Sequence, residues 1–229
     1  MLESLPPIHD LVRFWQRSES AMLSACIQFR KTPLPGWTLS WLRHAAPAIM
    51  TGELREIALR HAVRDKVFPE AQLSVLKAVE LLCNFVEKHQ WKGRALSESA
   101  YALPSGSRVK VNLIGRYLSQ RTKSEWLVAL QPRQDDVPND EQFRMWRSAL
   151  VYEYCAGEDA VMIVDLSRNS VSQKRELREL TARKCPLMTK SELDERLEVV
   201  TRCYRKATDA VPERPRRLSR ANDDPSFNF

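Results

Sequence analysis

The stretch from Glu98 to Asp165 carries the side chains best suited to a phosphate or a divalent cation. Glu98, Asp135, Asp136 and Glu141 offer the hard oxygen ligands that Mg²⁺ or Mn²⁺ requires, with Asn112 as a neutral companion. Arg116, Arg133, Arg144 and Arg147 carry planar guanidinium forks that match phosphate oxygens, and Trp146 offers a ring on which a base can stack. Each also has a plainer use. Glu98 suits an acid paired to an arginine at a strand edge, the Asp135-Asp136 pair a solvated loop, and Trp146 a core helix. His61 shares a helical face with Leu54, Ile57 and Ala58, where a packed residue is the plain reading. His9, His44 and His89 have no spacing that suggests catalysis. Five scattered cysteines without a Cys-x-x-Cys pair argue against a zinc site or a disulfide framework. The chain has no glycine-rich phosphate loop, no Gly-x-Ser-x-Gly elbow and no His-Glu-x-x-His.

The elements that must position these groups follow from periodicity. Residues 8–30 have helical spacing in Ile8, Leu11, Val12, Trp15, Met22, Leu23, Cys26 and Ile27, and Pro33, Pro35 and Gly36 stop the element. Short helices are expected over 39–48 and from Thr51, then an amphipathic helix of about five turns over 70–89. From Lys92-Gly93 the composition turns to β type. Strands are expected over 95–103 and 108–118, divided by the turn residues Pro104-Ser105-Gly106, and again over 126–130. Asn139 or Asp140 caps a helix that runs to Ala156 and stops at Gly157. The unbroken apolar run 160–166 predicts a strand buried on both faces. Residues 171–181 and 193–207 read as helices, the second with Thr189 and Glu192 at capping-box spacing and Ser191 as a rival cap. The Pro- and Arg-rich segment 212–229 reads as a disordered basic tail.

With 229 residues, 43% of them hydrophobic, the chain can bury one good core with additions. It has no apolar run of about 18 residues that would span a membrane. Its N-terminus lacks the shape of a secretory signal, which predicts an intracellular, cytoplasmic protein. The polybasic tail Arg214–Arg220 suits a polyanion clamp, or a nuclear address in a eukaryotic host. A net charge of +7 and a pI near 9.3 favour encounters with nucleic acid.

The order of these elements resembles the RecB-like branch of the PD-(D/E)XK nuclease superfamily over residues 51–167. Ile114-Gly115-Arg116-Tyr117 stands where the family has an Ile-Asp-Arg-Ile strand end. Val128-Ala129-Leu130-Gln131 stands where it has a hydrophobic residue and Asp/Glu-x-Lys. Gln142 and Trp146 match its helical Gln and the aromatic four residues on. Glu98 matches the acid of the preceding family strand, and His61 a histidine that related nucleases place on the entry helix. The resemblance implies an α+β fold: N-terminal helices (1–50), a restriction-endonuclease-like core with a short mixed sheet flanked by helices (51–168), and C-terminal helices (169–211).

It also implies degenerate catalytic positions. Gly115 has no side chain, Ala129 only a methyl, and Gln131 no charge. Surviving catalytic candidates are Glu98 and Gln142, and Glu98 and His61 are the weak metal candidates. Mg²⁺ or Mn²⁺ is expected only if other ligands have moved in. The leading expectation is therefore an inactive domain that binds nucleic acid through Arg116, Arg133, Arg144, Arg147 and Trp146. One alternative is a protein-interaction module anchored by Trp15, Trp37 and Trp41. The other is an active metal-dependent nuclease with migrated ligands.

Overall fold

Residues 5–32, 49–50, 69–94, 96, 99–111, 115–131, 137–154, 156–169, 172 and 174–212 are described in a computed structural model, with backbone alone for 69–74 and 94. The helices expected over 39–48 and from Thr51 lie outside the described residues.

Helix α1 (Ile8–Leu11) runs into a 3-10 turn at Val12–Phe14, and helix α2 spans Glu19–Lys31. The single helix expected over 8–30 is thus two pieces. Ser18 breaks it: it is extended, and its side chain accepts from the Ala21 N–H, so the helix restarts there. Helix α3 (Pro69–His89) matches the expectation closely. Pro69 is tolerated in its first turn, where an N–H has no intrahelical partner, and Val75, Val79, Leu82 and Val86 bury one stripe.

Strand β1 (Trp91–Arg94) follows at once. Strands β2 (Ser99–Ala102) and β3 (Arg108–Val111) form a separate hairpin, closed by the expected turn with Gly106 at φ +80°. Strands β4 (Gly115–Ser119) and β5 (Glu125–Gln131), helix α4 (Asp140–Tyr154) and strand β6 (Val161–Asp165) come next. The strand expected over 108–118 is therefore divided between β3 and β4. Residues 178–180 form strand β7, not the expected helix, and helix α5 spans Lys190–Ala210. The reason for β7 is tertiary: Asp165 at the end of β6 pairs with Arg178 in both ladder and side chain.

The main sheet has the order β1-β4-β5-β6-β7. β1, β4 and β5 are successively antiparallel, β5 and β6 are parallel, and β7 is antiparallel to β6. The crossover through α4 makes the parallel pair attainable. Side chains alternate between two cores. Leu127, Ala129, Val161 and Ile163 face α1, α2, α4 and α5. Val128, Leu130, Met162 and Val164 face α3. The result is an α+β fold, a mixed sheet between helical layers, with helices at both ends of the chain.

Arg30 binds α2 to α5 and the residues just after it. Arg30, 1% exposed, donates from Nε to Val211 O at 2.6 Å and from Nη1 to the Tyr204 hydroxyl at 3.3 Å. Its Nη2 donates to Pro212 O, so one guanidinium satisfies carbonyls at the α5 C-terminus. Among the described residues no helix is long and apolar enough to cross a membrane.

Candidate functional site

The C-terminal half of β5 holds Ala129 and Gln131, the two positions where the resemblance expects a carboxylate and a lysine. Ala129 is fully buried and Gln131 is 1% exposed, two residues apart and so on one face of the strand. In the parallel register Ala129 lies beside Ile163 and Gln131 beside Asp165. A methyl and an amide supply no anionic ligand, so these two positions do not fit a divalent cation. Among the described residues no three His, Cys, Asp or Glu side chains converge as a metal site would require.

Gly115 does not join them on that face. It pairs with Val128, and the next inward residue on β4, Tyr117, packs with Val128 in the α3 core. A side chain at 115 would point there, away from Ala129 and Gln131. Gly115 and the pair Ala129 and Gln131 therefore lie on opposite faces of the sheet, since in a strand one residue reverses the face.

Sequence reasoning missed the carboxylate that lies beside Gln131 in the parallel ladder. Asp165 is fully buried, accepts from Ser167 N and Ser167 Oγ at 3.0 Å and from Arg178 Nε at 2.9 Å, and is also bonded by Arg178 Nη2. The signal was visible as one acid closing an otherwise apolar run. Its lone pairs serve the β6–β7 connection, which is a structural use.

The candidates on α4 are also structural. Gln142 completes a capping box: it accepts from Asn139 N at 2.9 Å, and its own N–H donates to Asn139 Oδ1 at 3.0 Å. Its Nε2 donates to the carbonyls of Arg13 and Trp15, both at 2.9 Å, pinning the N-terminal segment to α4. Gln142 is therefore a capping residue and not a catalytic one. Arg144 donates to the carbonyls of Pro186 and Leu187. Arg147, fully buried, donates to Val161 O at 3.2 Å, Cys185 O at 2.9 Å and Glu158 O. Burial lowers its pKa, opposed by Cys185, Glu158 and Asp159 nearby. Trp146 is 1% exposed, between His9 and Phe143. A base cannot reach it, and Arg147 cannot reach a phosphate. Glu98, His61 and Arg133 lie outside the described residues, as do Asn112, Asp135 and Asp136.

Trp15 is half-buried beneath the Arg196 guanidinium, 4.8 Å from the ring centroid, and Arg196 also pairs with Glu141 and Glu192. It is engaged within the fold and is no open anchor. Trp37 and Trp41 lie outside the described residues.

Arg116 keeps its role as a candidate. Its side chain is 39% exposed, with Glu125 its ion-pair partner at 3.7 Å, too long for a hydrogen bond. It also sits in a basic segment. Residues 91–131 contain seven Lys or Arg and two Glu, a net charge of +5. Lys92, Arg108, Lys110, Arg121 and Lys123 are exposed. Lys92 pairs with Leu118 across the ladder, so Lys92, Arg116 and Leu118 share the face of the sheet that carries α4. Leu118, 40% exposed, is the one exposed large hydrophobic residue among those described, so this part of the sheet is open. Arg121 and Lys123 are held out by a defined turn: Lys123 N donates to Ser119 O at 2.8 Å and Thr122 N to Ser119 Oγ at 3.2 Å.

A recess of about 220 Å³ adjoins Arg116, bounded by Glu125, Trp126 and Leu127 on one side and by Tyr154, Ala156 and Ala160 on the other. Comparison of the chain with family models, with curated proteins and with solved structures finds no match in any of the three.

Proposed function

We propose that this chain is a nucleic-acid-binding domain on a nuclease-like frame that has lost the means to cleave. The order helix, three antiparallel strands, helix, parallel strand supports the resemblance to the PD-(D/E)XK core, with the β2–β3 hairpin as an insertion. Ala129 and Gln131 support the loss of chemistry, since a metal-assisted attack on phosphorus needs anionic ligands there. The observation that carries the binding reading is the pair Lys92 and Arg116 beside the exposed Leu118 on one sheet face, within a segment, 91–131, of net charge +5. The interface is the β1–β4–β5 edge, centred on Arg116, and not the arginines of α4. Such a surface gathers phosphates without reading bases, so binding is electrostatic in origin.

Titration of labelled DNA and RNA by fluorescence anisotropy over a range of salt tests this reading. The expected result is affinity that falls linearly in log K against log salt, with no cleavage of any strand when Mg²⁺ or Mn²⁺ is added. Salt-insensitive binding, no binding at low salt, or metal-dependent cleavage would each overturn it.

A further inference from the structure

We propose that the recess beside Arg116 receives one unpaired nucleotide of the bound strand, an inference that rests on the nucleic-acid reading above. At about 220 Å³ it falls below the roughly 300–1,000 Å³ of cavities that take drug-sized ligands, so it suits a single ring system. It exists because the chain turns from α4 to β6 through small residues: Ala156, Gly157 and Ala160 leave space that longer side chains would fill.

Its chemistry is mixed. Arg116 offers a fork of donors and Glu125 offers acceptors, and the 3.7 Å between them leaves both able to bond a guest. The edge of a nucleobase presents donors and acceptors side by side, which such a pair can meet together. A free anion would face the Glu125 carboxylate, and a cationic side chain would face Arg116; a neutral base with both kinds of group suffers neither repulsion. Tyr154 contributes aromatic surface to the lining, which suits a base whatever its sequence, while the Trp126 ring lies on the other face of β5 against the α3 core. The recess also opens beside the cationic sheet face, so the phosphates flanking the inserted nucleotide would meet Arg116 and its neighbours. A paired base cannot enter, because its edge and both its faces are already occupied in the duplex. The site therefore predicts preference for single-stranded or bulged nucleic acid over a fully paired duplex.

The test uses the full chain with short DNA and RNA oligonucleotides that carry 2-aminopurine at an unpaired position, beside fully paired counterparts. In the wild type, 2-aminopurine fluorescence should change on binding to the single strand. The Ala160→Leu variant, which fills the recess, should weaken single-strand binding by about tenfold while leaving duplex binding within about twofold. Salt-dependent binding with unchanged 2-aminopurine fluorescence and no strand preference would overturn the inference and leave the proposed function standing. Absence of salt-dependent binding would overturn both. Should Ala160→Leu fail to fold by circular dichroism, the fluorescence response of the wild type decides alone.

Discussion

Arg147 offers the sharpest division between a binding residue and a structural one. Its guanidinium is fully buried and donates to three backbone carbonyls, those of Val161, Glu158 and Cys185. These carbonyls lie at the start of β6, in the turn before it and in the loop that leads to α5. Replacement by Met keeps the apolar stem and removes the fork. Each hydrogen bond from a charged group contributes about 1.5–3 kcal/mol net, and each buried carbonyl left without a donor costs about 1–3 kcal/mol. Release of the guanidinium from its own desolvation offsets part of that, so the expected loss is about 3 kcal/mol. For a chain of this length, that lowers the thermal midpoint by roughly 6–12 °C. Arg116→Ala is the complement: its ion pair at 3.7 Å is partly exposed, so stability should stay within about 0.5 kcal/mol. The salt dependence of DNA binding should separate the two. Loss of one phosphate contact reduces the slope of log K against log salt by about 0.9. Arg116→Ala should show that reduction, and Arg147→Met should not. An Arg147→Met protein as stable as the wild type, with a shallower salt slope, would refute the structural assignment.

Three further outcomes follow from the packing. A Cβ at Gly93 would come within 2.8 Å of Tyr117 Cα and closer still to the Tyr117 ring and the Arg116 carbonyl, so Gly93→Ala should destabilise the chain by about 1–3 kcal/mol in urea denaturation. Gln142→Ala removes one half of the capping box and both bonds to the N-terminal segment; it should cost about 1–2 kcal/mol and accelerate amide exchange across α1. The Glu141 carboxyl is held below the ordinary 4.5 by its hydrogen bond to Arg196, and that of Glu19 is lowered by its hydrogen bonds to Arg202 and Lys206. Both folded values are depressed, so their stabilisation is present above pH 4.5 and is lost as pH falls through the lowered values. Thermal midpoints taken through that range should drop with acid, and Glu141→Gln should flatten the decline.

Elements with strong local signals were legible in the sequence. Helix α3 follows from its apolar stripe, the hairpin from Pro104 to Gly106, and β6 from its unbroken apolar run. The caps Asn139 and Thr189 both hold the N–H three residues on, as the residue types predict. Elements that exist because of a distant partner were not legible. Strand β1, Trp91-Lys92-Gly93-Arg94, has little strand character of its own. It is made by pairing with β4, where Gly93 leaves room for Tyr117 and Trp91 stacks on that ring at 5.5 Å. Strand β7 likewise depends on Asp165, thirteen residues before Arg178. The parity of Gly115 could not be read either, because face is fixed by the register between β4 and β5, which a motif does not specify.

The α4 arginines show how a sequence reading of chemistry can fail for a reason that was itself readable. Phe143, Trp146, Arg147, Leu150 and Val151 repeat at steps of three and four, which makes Arg147 part of the buried stripe. A cation on such a stripe must find acceptors inside the protein, and the start of β6, the turn before it and the loop before α5 present carbonyls to it. The cation and the carbonyls thus settle each other's burial. On a four- or five-residue strand at the sheet edge the constraint is opposite. Alternate side chains point away from one core, and where no helix among the described residues covers that face, as around Lys92, Arg116 and Leu118, cations stay in water and remain open to a polyanion. In a protein of this architecture, basic residues on an uncovered strand face are therefore better candidates for phosphate contact than basic residues on the helix that packs the sheet.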